Sequence, residues 1–133
     1  MVAENPVVSD VATGLMWQGC PAGMTGGAST CSGTALTRNW QGALDYCQDS
    51  AWAGFTDWYL PNVDELRSIV DSARSNPSID PAVFPGTPSG YFWSSSSDAT
   101  NASNAWGVSF DYGIVNSSDK TCTYYIRCVR ARP

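Results

Sequence analysis

Cysteine usage is the feature that most constrains the fold of this chain. Its 133 residues include five cysteines, Cys20, Cys31, Cys47, Cys122 and Cys128, and no histidine. Because no two cysteines have the CxxC spacing, a zinc site is not expected, and disulfide bonds formed in an oxidising compartment explain the cysteines better. Five is an odd number, so at least one thiol is free or bonds to another chain. The sequence leaves several pairings open.

The first helix is predicted from an apolar stripe. Trp40, Ala43, Leu44 and Cys47 follow the i, i+3, i+4, i+7 spacing of one helix face, and Thr37 suits the N-cap position. Cys47 therefore lies on the predicted buried side of the helix, where it can reach a core strand.

The second helix is predicted to begin at Asn62, with Glu65 three residues later in a capping-box arrangement. It is predicted to end near Ser75-Asn76-Pro77. The proline-rich segment 77–90 that follows is predicted to be an ordered loop, because apolar residues punctuate it. The apolar residues of the helix and the loop are Val63, Leu66, Val70, Ala73, Ile79, Val83 and Phe84.

Alternating apolar and polar residues predict strands at both ends of the chain, which indicates an α+β fold in a single domain, residues 1–133. The last strand is expected to lie beside the first and to bring the termini together. We favour Cys20–Cys31 as a staple of the Gly-rich loop 19–33, and Cys47–Cys128 as a helix-to-strand bond, with Cys122 free. The predicted strands are Val7 to Asp10, Leu15 to Gln18, Tyr91 to Ser94, Ala105 to Phe110, Ile114 to Asn116, and Tyr124 to Arg130.

Charge and composition exclude several function classes. The net charge of −5 argues against nucleic acids and other polyanions as partners. The basic cluster Arg127, Arg130 and Arg132 is interpreted as a solvated strand end. Without histidine, Ser-His-Asp and Cys-His catalytic arrangements are impossible, so we expect a protein that is not an enzyme and needs no cofactor or metal. Five tryptophans in apolar patterns are expected in the core: Trp17, Trp40, Trp58, Trp93 and Trp106.

Location is expected to be extracellular or at the cell surface, on the strength of the cysteines. Residues Met1 to Glu4 show neither the basic nor the apolar region of a signal peptide, and no stretch has membrane-spanning length. We therefore expect an export signal or anchor outside this sequence, and no direct membrane insertion of this segment.

Short motifs spread over nearly the whole chain form an ordered series. The motifs are Val8-Ser9-Asp10, Thr13-Gly14-Leu15-Met16-Trp17-Gln18, Tyr46-Cys47, Asp57-Trp58, residues 60–68, Trp93-Ser94-Ser95, Ala105-Trp106, and Arg127-Cys128-Val129-Arg130. This series resembles the C-terminal domain family of the Legionella collagen-like protein. The resemblance implies a C-type lectin-like fold, with two helices, a small twisted antiparallel sheet and adjacent termini. It also implies a ligand-binding role on bacterial surfaces or in envelope and phage-related proteins.

The region of about residues 91–130 also resembles the variable region of proteins diversified by retroelements, in which template adenines are miscopied. The resemblance implies a ligand-binding surface of residues that such codons can encode, held on a fixed scaffold of Val108, Phe110, Gly113, Val115 and Lys120. Strand alternation supports this, since Val108, Phe110 and Val115 can face the core while their neighbours face out. The candidate binding residues are Ser109, Asp111, Tyr112, Ile114, Asn116, Ser117, Ser118, Asp119, Thr121, Cys122, Thr123 and Tyr124.

The leading expectation is therefore a diversified binding domain for an unknown protein or glycan ligand. The alternatives are a glycan-binding adhesin of fixed specificity, then a structural or oligomeric envelope domain, and last an enzyme.

Overall fold

The computed structural model describes residues 7–26 and 31–131, which form an α+β arrangement consisting mostly of strands. The helices are α1 (Trp40–Gln48) and α2 (Val63–Arg67), with a short 3-10 helix at Trp52–Gly54 between them. The strands are β1 (Val7–Asp10), β2 (Leu15–Gln18), β3 (Met24–Thr25), β4 (Ser32–Gly33), β5 (Thr37–Arg38), β6 (Tyr91–Ser97), β7 (Asn104–Ser109), β8 (Ile114–Asp119), β9 (Tyr124–Tyr125) and β10 (Val129–Ala131).

The last strand closes a three-stranded sheet with the order β1-β2-β10. β2 lies in the centre because it carries the buried residues Leu15, Trp17 and Gln18, whereas β1 is partly exposed along its length. Trp17 pairs with Val8 on one side and with Val129 on the other. The prediction that the last strand lies beside the first is wrong in this detail: β10 pairs with β2, and β2 separates it from β1.

A five-stranded sheet with the order β5-β9-β6-β7-β8 contains most of the C-terminal region. β6, β7 and β8 are antiparallel neighbours, and β9 pairs in parallel with β6 through Tyr125 and Phe92. Because β8 pairs only with β7, it is an edge strand of this sheet. A further two-stranded pair, β3 and β4, lies in the predicted Gly-rich loop and was not predicted.

The helix boundaries correct two predictions. The N-cap of α1 is Asn39, whose side chain accepts a hydrogen bond from the Gly42 N–H. Thr37 is not the N-cap, because it lies in β5 and pairs with Tyr125 of β9. The capping box of Asn62 and Glu65 is confirmed, but α2 ends at Arg67.

The chain after α2 leaves the helix because its backbone groups find other partners. Asp71 N–H donates to the Ser78 carbonyl, and Ser78 N–H donates to Phe110 in the turn after β7. These bonds tie residues 70–80 to the five-stranded sheet and replace the helical hydrogen bonds that the apolar spacing predicted. Ile79 and Phe84 are buried as predicted, whereas Val83 is 42% exposed and does not join the core.

Two disulfide bonds, Cys20–Cys31 and Cys47–Cys128, hold the structure, and Cys122 is free and exposed. Both preferred pairings are confirmed. The second bond joins α1 to the segment just before β10, inside a core cluster that also contains Trp58 and Trp93. Trp17 and Trp52 are likewise buried, while Trp40 and Trp106 are half-buried.

Two arginines near the C-terminus, Arg127 and Arg130, are not solvated. Arg127 is 1% exposed, donates to the Gln18 carbonyl and the Thr87 hydroxyl at 2.8 and 2.7 Å, and covers the Phe84 ring. This burial lowers the pKa of Arg127 to about 9. The solvated interpretation fails for Arg130 as well, because its guanidinium is 7% exposed. Arg132 lies outside the described residues.

The guanidinium of Arg130 is held by the Asp57 carboxylate through two hydrogen bonds of 2.5 and 3.0 Å, and it lies 3.9 Å from the centre of the Phe55 ring. These contacts hold β10 against the loop before α2, with the Arg130 side chain buried and the Asp57 side chain 60% exposed.

Candidate functional site

Strand alternation divides the five-stranded sheet into two faces. In the register between β7 and β8, Ser109 lies opposite Ile114, Gly107 opposite Asn116, and Ala105 opposite Ser118. Paired residues project to the same side of a sheet. Ala105 and Gly107 are buried on this side. We call the less buried part of it the open face; there Ile114 and Asn116 are exposed and the other residues are half-buried. The open face is made of Tyr91, Ser109, Ile114, Asn116, Ser118 and Tyr124.

The other side of the same strands is closed by the core. Val108 and Phe110 are 0% and 1% exposed, and Val115 packs against the same cluster. The ring of Phe92 lies 5.1 Å from that of Phe110, edge to face. The prediction that Val108, Phe110 and Val115 face the core is confirmed, and these contacts give the open face a rigid base.

Tyrosine rings order the middle of the open face. The Tyr91 and Tyr124 ring centres are 4.3 Å apart, and Tyr124 also lies 5.0 Å from the buried Trp93. Tyr91 fits because Gly107 lies below it: a Cβ at Gly107 would come within 2.6 Å of the Tyr91 ring.

Two hydrogen bonds then fix the hydroxyls of these tyrosines. The Tyr91 hydroxyl donates to the Asn116 carbonyl at 2.6 Å, and the Tyr124 hydroxyl lies 2.8 Å from the Ser118 hydroxyl. Burial is the main cause that raises the pKa of Tyr91, and the nearby Tyr124 raises it further. The Tyr91 phenol therefore stays neutral and presents a polar edge without charge.

Not all of the predicted binding residues lie on the open face. Ser117 and Asp119 project to the opposite side of β8, as alternation requires. Asp98 accepts hydrogen bonds chiefly from Thr100 and also from Ser117, and these bonds lower the pKa of Asp98. The Asp119 carboxylate accepts from the Thr121 hydroxyl and N–H, which lowers its own pKa.

The remaining predicted residues lie in the turns at the two ends of β8. Asp111 and Tyr112 precede the strand, and Tyr112 is 68% exposed. Thr121, Cys122 and Thr123 follow it and are also exposed. A strand of this length spans about 20 Å, so the predicted set forms a strip along the sheet edge and not one compact patch.

Tyr91 is the open-face residue that the candidate list lacks. It stands two residues before Trp93 in an alternating strand, which could have placed both rings on one side. Its contact with β8 was not visible in the sequence, because it depends on the register of three strands.

Lys120 anchors the turn that follows β8. Its ammonium donates to the Ser97 hydroxyl at 2.9 Å and the Ala102 carbonyl at 2.8 Å, and it lies 4.2 Å from the centre of the Trp40 ring. These contacts give Lys120 a structural role, in keeping with its predicted place in the scaffold.

Comparison with known protein families identifies the family of the chain. The profile described as the Lcl C-terminal domain matches residues 6–130, almost the full length. The chain belongs to the Lcl C-terminal domain family. The resemblance inferred from the motifs is thereby confirmed, and no curated protein matches the chain significantly.

Membership of the Lcl C-terminal domain family, together with the two disulfides, is compatible with a surface-associated ligand-binding domain. Within residues 7–26 and 31–131, no helix has the length and apolar character needed to cross a membrane. In the same residues, no group of three or more cysteine or carboxylate side chains is placed to hold a metal ion.

Proposed function

We propose that this domain binds a protein or glycan ligand through the open face and the adjoining Tyr112 turn, and that it does so outside the cell as part of a bacterial or phage-related surface protein. The observation that carries the proposal is the two-sided character of β7 and β8. On the inward side, Val108 is buried and Val115 packs against the same core. On the outward side, the six open-face residues, including Tyr91 of β6 and Tyr124 of β9, form an uncharged surface of tyrosine, serine, asparagine and isoleucine.

The chemistry of the open face suits recognition of varied ligands. Tyrosine offers a large rigid surface at low entropic cost, and small polar side chains offer adaptable hydrogen bonds. None of the six open-face side chains carries a charge, and the protein is acidic overall, so neutral glycans and protein surfaces are favoured over sulfated polymers.

We further propose a C-type lectin-like fold and diversification of the C-terminal region by a retroelement. The burial of Val108 and Phe110 beside exposed Asn116 and Ile114 supports this, because changes at the exposed positions leave the core intact. The test is the DNA that flanks the gene. A near-copy of the segment encoding residues 91–130, differing only at adenines and accompanied by a reverse transcriptase gene, is the expected finding.

The alternative function is a glycan-binding adhesin of fixed specificity, which the uncharged aromatic surface also suits. Absence of the template copy would favour it. A glycan array probed with the wild-type domain would then give discrete signals that Asn116→Arg abolishes. The matched control is Asn101→Arg, which changes an exposed asparagine in the turn between β6 and β7.

A non-enzymatic role is part of the proposal. Besides the absence of histidine, Lys120, a nearby candidate to activate Cys122, has its ammonium engaged by Ser97, Ala102 and Trp40. A thiol nucleophile needs a free activating base. Measured reactivity of Cys122 toward iodoacetamide should therefore match that of a free exposed cysteine, and strongly enhanced reactivity at pH 7 would contradict it.

A further inference from the structure

A second concave site lies apart from the open face. A cavity of about 350 Å³ opens between β1 with its following turn and the segment of residues 68–84 that follows α2. This volume is in the range of small-molecule pockets. None of the six open-face residues lines it, so the site is independent of the proposed function.

The residues that line the cavity include one with an unpartnered hydrogen-bond donor. Trp17 lines the cavity and is 0% exposed, and its indole N–H finds no acceptor among the described residues. Leaving such a donor unpaired inside a protein is costly. The Phe84 ring meets the indole edge to face at 6.4 Å and also lines the cavity. A ligand with a neutral oxygen could accept this hydrogen bond.

Carboxylates surround the same cavity: Asp10, Asp71 and Asp80 line it. Arg74 pairs with Asp71 at 2.9 Å and approaches Asp80 at 3.9 Å, so one cation is shared by two of the three carboxylates. Asp10 accepts from the Ala12 N–H and has no basic partner among the described residues. The rim therefore carries excess negative charge, and a positively charged ligand would complement it.

Exposed apolar side chains complete the rim. Val11 is 82% exposed and Val83 is 42% exposed, and both line the cavity together with Val8 and Ile69. Contact with these valines would take apolar surface out of water.

We propose that the cavity binds a small organic amine with an apolar or aromatic body. The ammonium lies against Asp10, the body lies between Val11 and Val83, and an uncharged oxygen accepts from the Trp17 indole.

Three probes that share one phenol ring and differ in charge test the proposal: tyramine, the neutral alcohol tyrosol, and 4-hydroxyphenylacetate. Each is titrated into the domain labelled with nitrogen-15, and the indole N–H signal of Trp17 is followed by NMR together with the backbone signals of Asp10 and Val83. Because the protein is acidic overall, weak binding of a cation alone would not support the proposal. The residues whose signals shift and the order of the three affinities decide the outcome.

Tyramine is expected to bind saturably, to shift the Trp17 indole signal, and to bind more tightly than tyrosol, with the acid weakest. Asp10→Asn retains the Ala12 turn, since an amide oxygen also accepts there, and should weaken tyramine binding about fivefold. The control Asp45→Asn makes the same charge change on α1 and should leave the affinity unchanged. Absence of saturable binding, equal affinity for the three probes, or equal loss in both variants would overturn the proposal.

Discussion

The two disulfide bonds should contribute unequally to stability, because they close loops of very different length. Cys47–Cys128 spans a sequence separation of 81, whereas Cys20–Cys31 spans 11. If the bonds act mainly by restricting the unfolded chain, the longer loop gains more. The perturbation is the removal of each bond by a paired cysteine-to-alanine change.

The loop-closure relation gives the expected magnitudes. It predicts a loss of about 4.5 kcal/mol in the free energy of unfolding without Cys47–Cys128 and about 2.8 kcal/mol without Cys20–Cys31. Each change removes two sulfurs from a largely buried site, so the packing losses are similar and the difference of about 1.7 kcal/mol reports the loop term. Against a typical total of about 5–15 kcal/mol, the first loss is a large share.

Urea unfolding followed by tryptophan fluorescence measures both losses. All proteins carry Cys122→Ser, because the free exposed thiol would otherwise exchange with the disulfides. The slope of the free energy against urea should rise more in the variant without Cys47–Cys128, since its unfolded state expands further. Equal losses, or a larger loss from the short loop, would refute the loop-closure reasoning and assign the effect to local contacts.

Three further predictions concern the sheet and the chain end. Gly107→Ala should cost about 1–3 kcal/mol, because its Cβ collides with the Phe92 carbonyl oxygen and the Tyr91 ring; thermal unfolding measures this. Val108→Ala should cost about 2 kcal/mol at a fully buried site, whereas Asn116→Ala should stay within about 0.5 kcal/mol. Asp57→Asn should lower stability at neutral pH but much less in acid, since the hydrogen bond from its arginine partner holds the pKa of Asp57 below its usual 3.8.

The sign of the pH effect follows from proton counts. The folded state binds fewer protons at Asp57 than the unfolded state, so its contribution is complete above the unfolded pKa and is lost as the pH falls through the folded pKa. The urea midpoints of wild type and Asp57→Asn should therefore converge on acidification from about pH 6 to about pH 3. Midpoints that stay parallel would contradict this.

Controls for the sheet variants lie on the same strands. Ser109→Ala, at a half-buried position of the open face, should leave the melting temperature nearly unchanged. If Gly107→Ala is as stable as Ser109→Ala, the close approach of Tyr91 does not restrict the site. If Asn116→Ala destabilises as much as Val108→Ala, the two faces of the sheet are not distinct.

The amino-acid sequence determined the features that depend on neighbours within a few residues or on a simple period. The bounds of β1 and β2, the capping box at Asn62, and the inward direction of Val108 follow from local patterns that the tertiary structure did not override. Both disulfides were also predictable. Cys20–Cys31 closes a local loop. Cys47–Cys128 joins the buried face of α1 to the buried segment just before β10.

Only the tertiary structure decided the features that depend on register and on distant partners. Residues 68–76 have a helical apolar spacing, but the Asp71 N–H donates to the Ser78 carbonyl and the Asn76 N–H donates to Asp111 in the turn after β7, and α2 stops early. The charge of Arg127 predicts a surface residue, yet hydrogen bonds to Gln18 and Thr87, which are far away in sequence, hold it in the core. The contact of Tyr91 with β8 and the cavity lined by Trp17 arise because strand pairing and loop packing place distant side chains together, which no local pattern encodes.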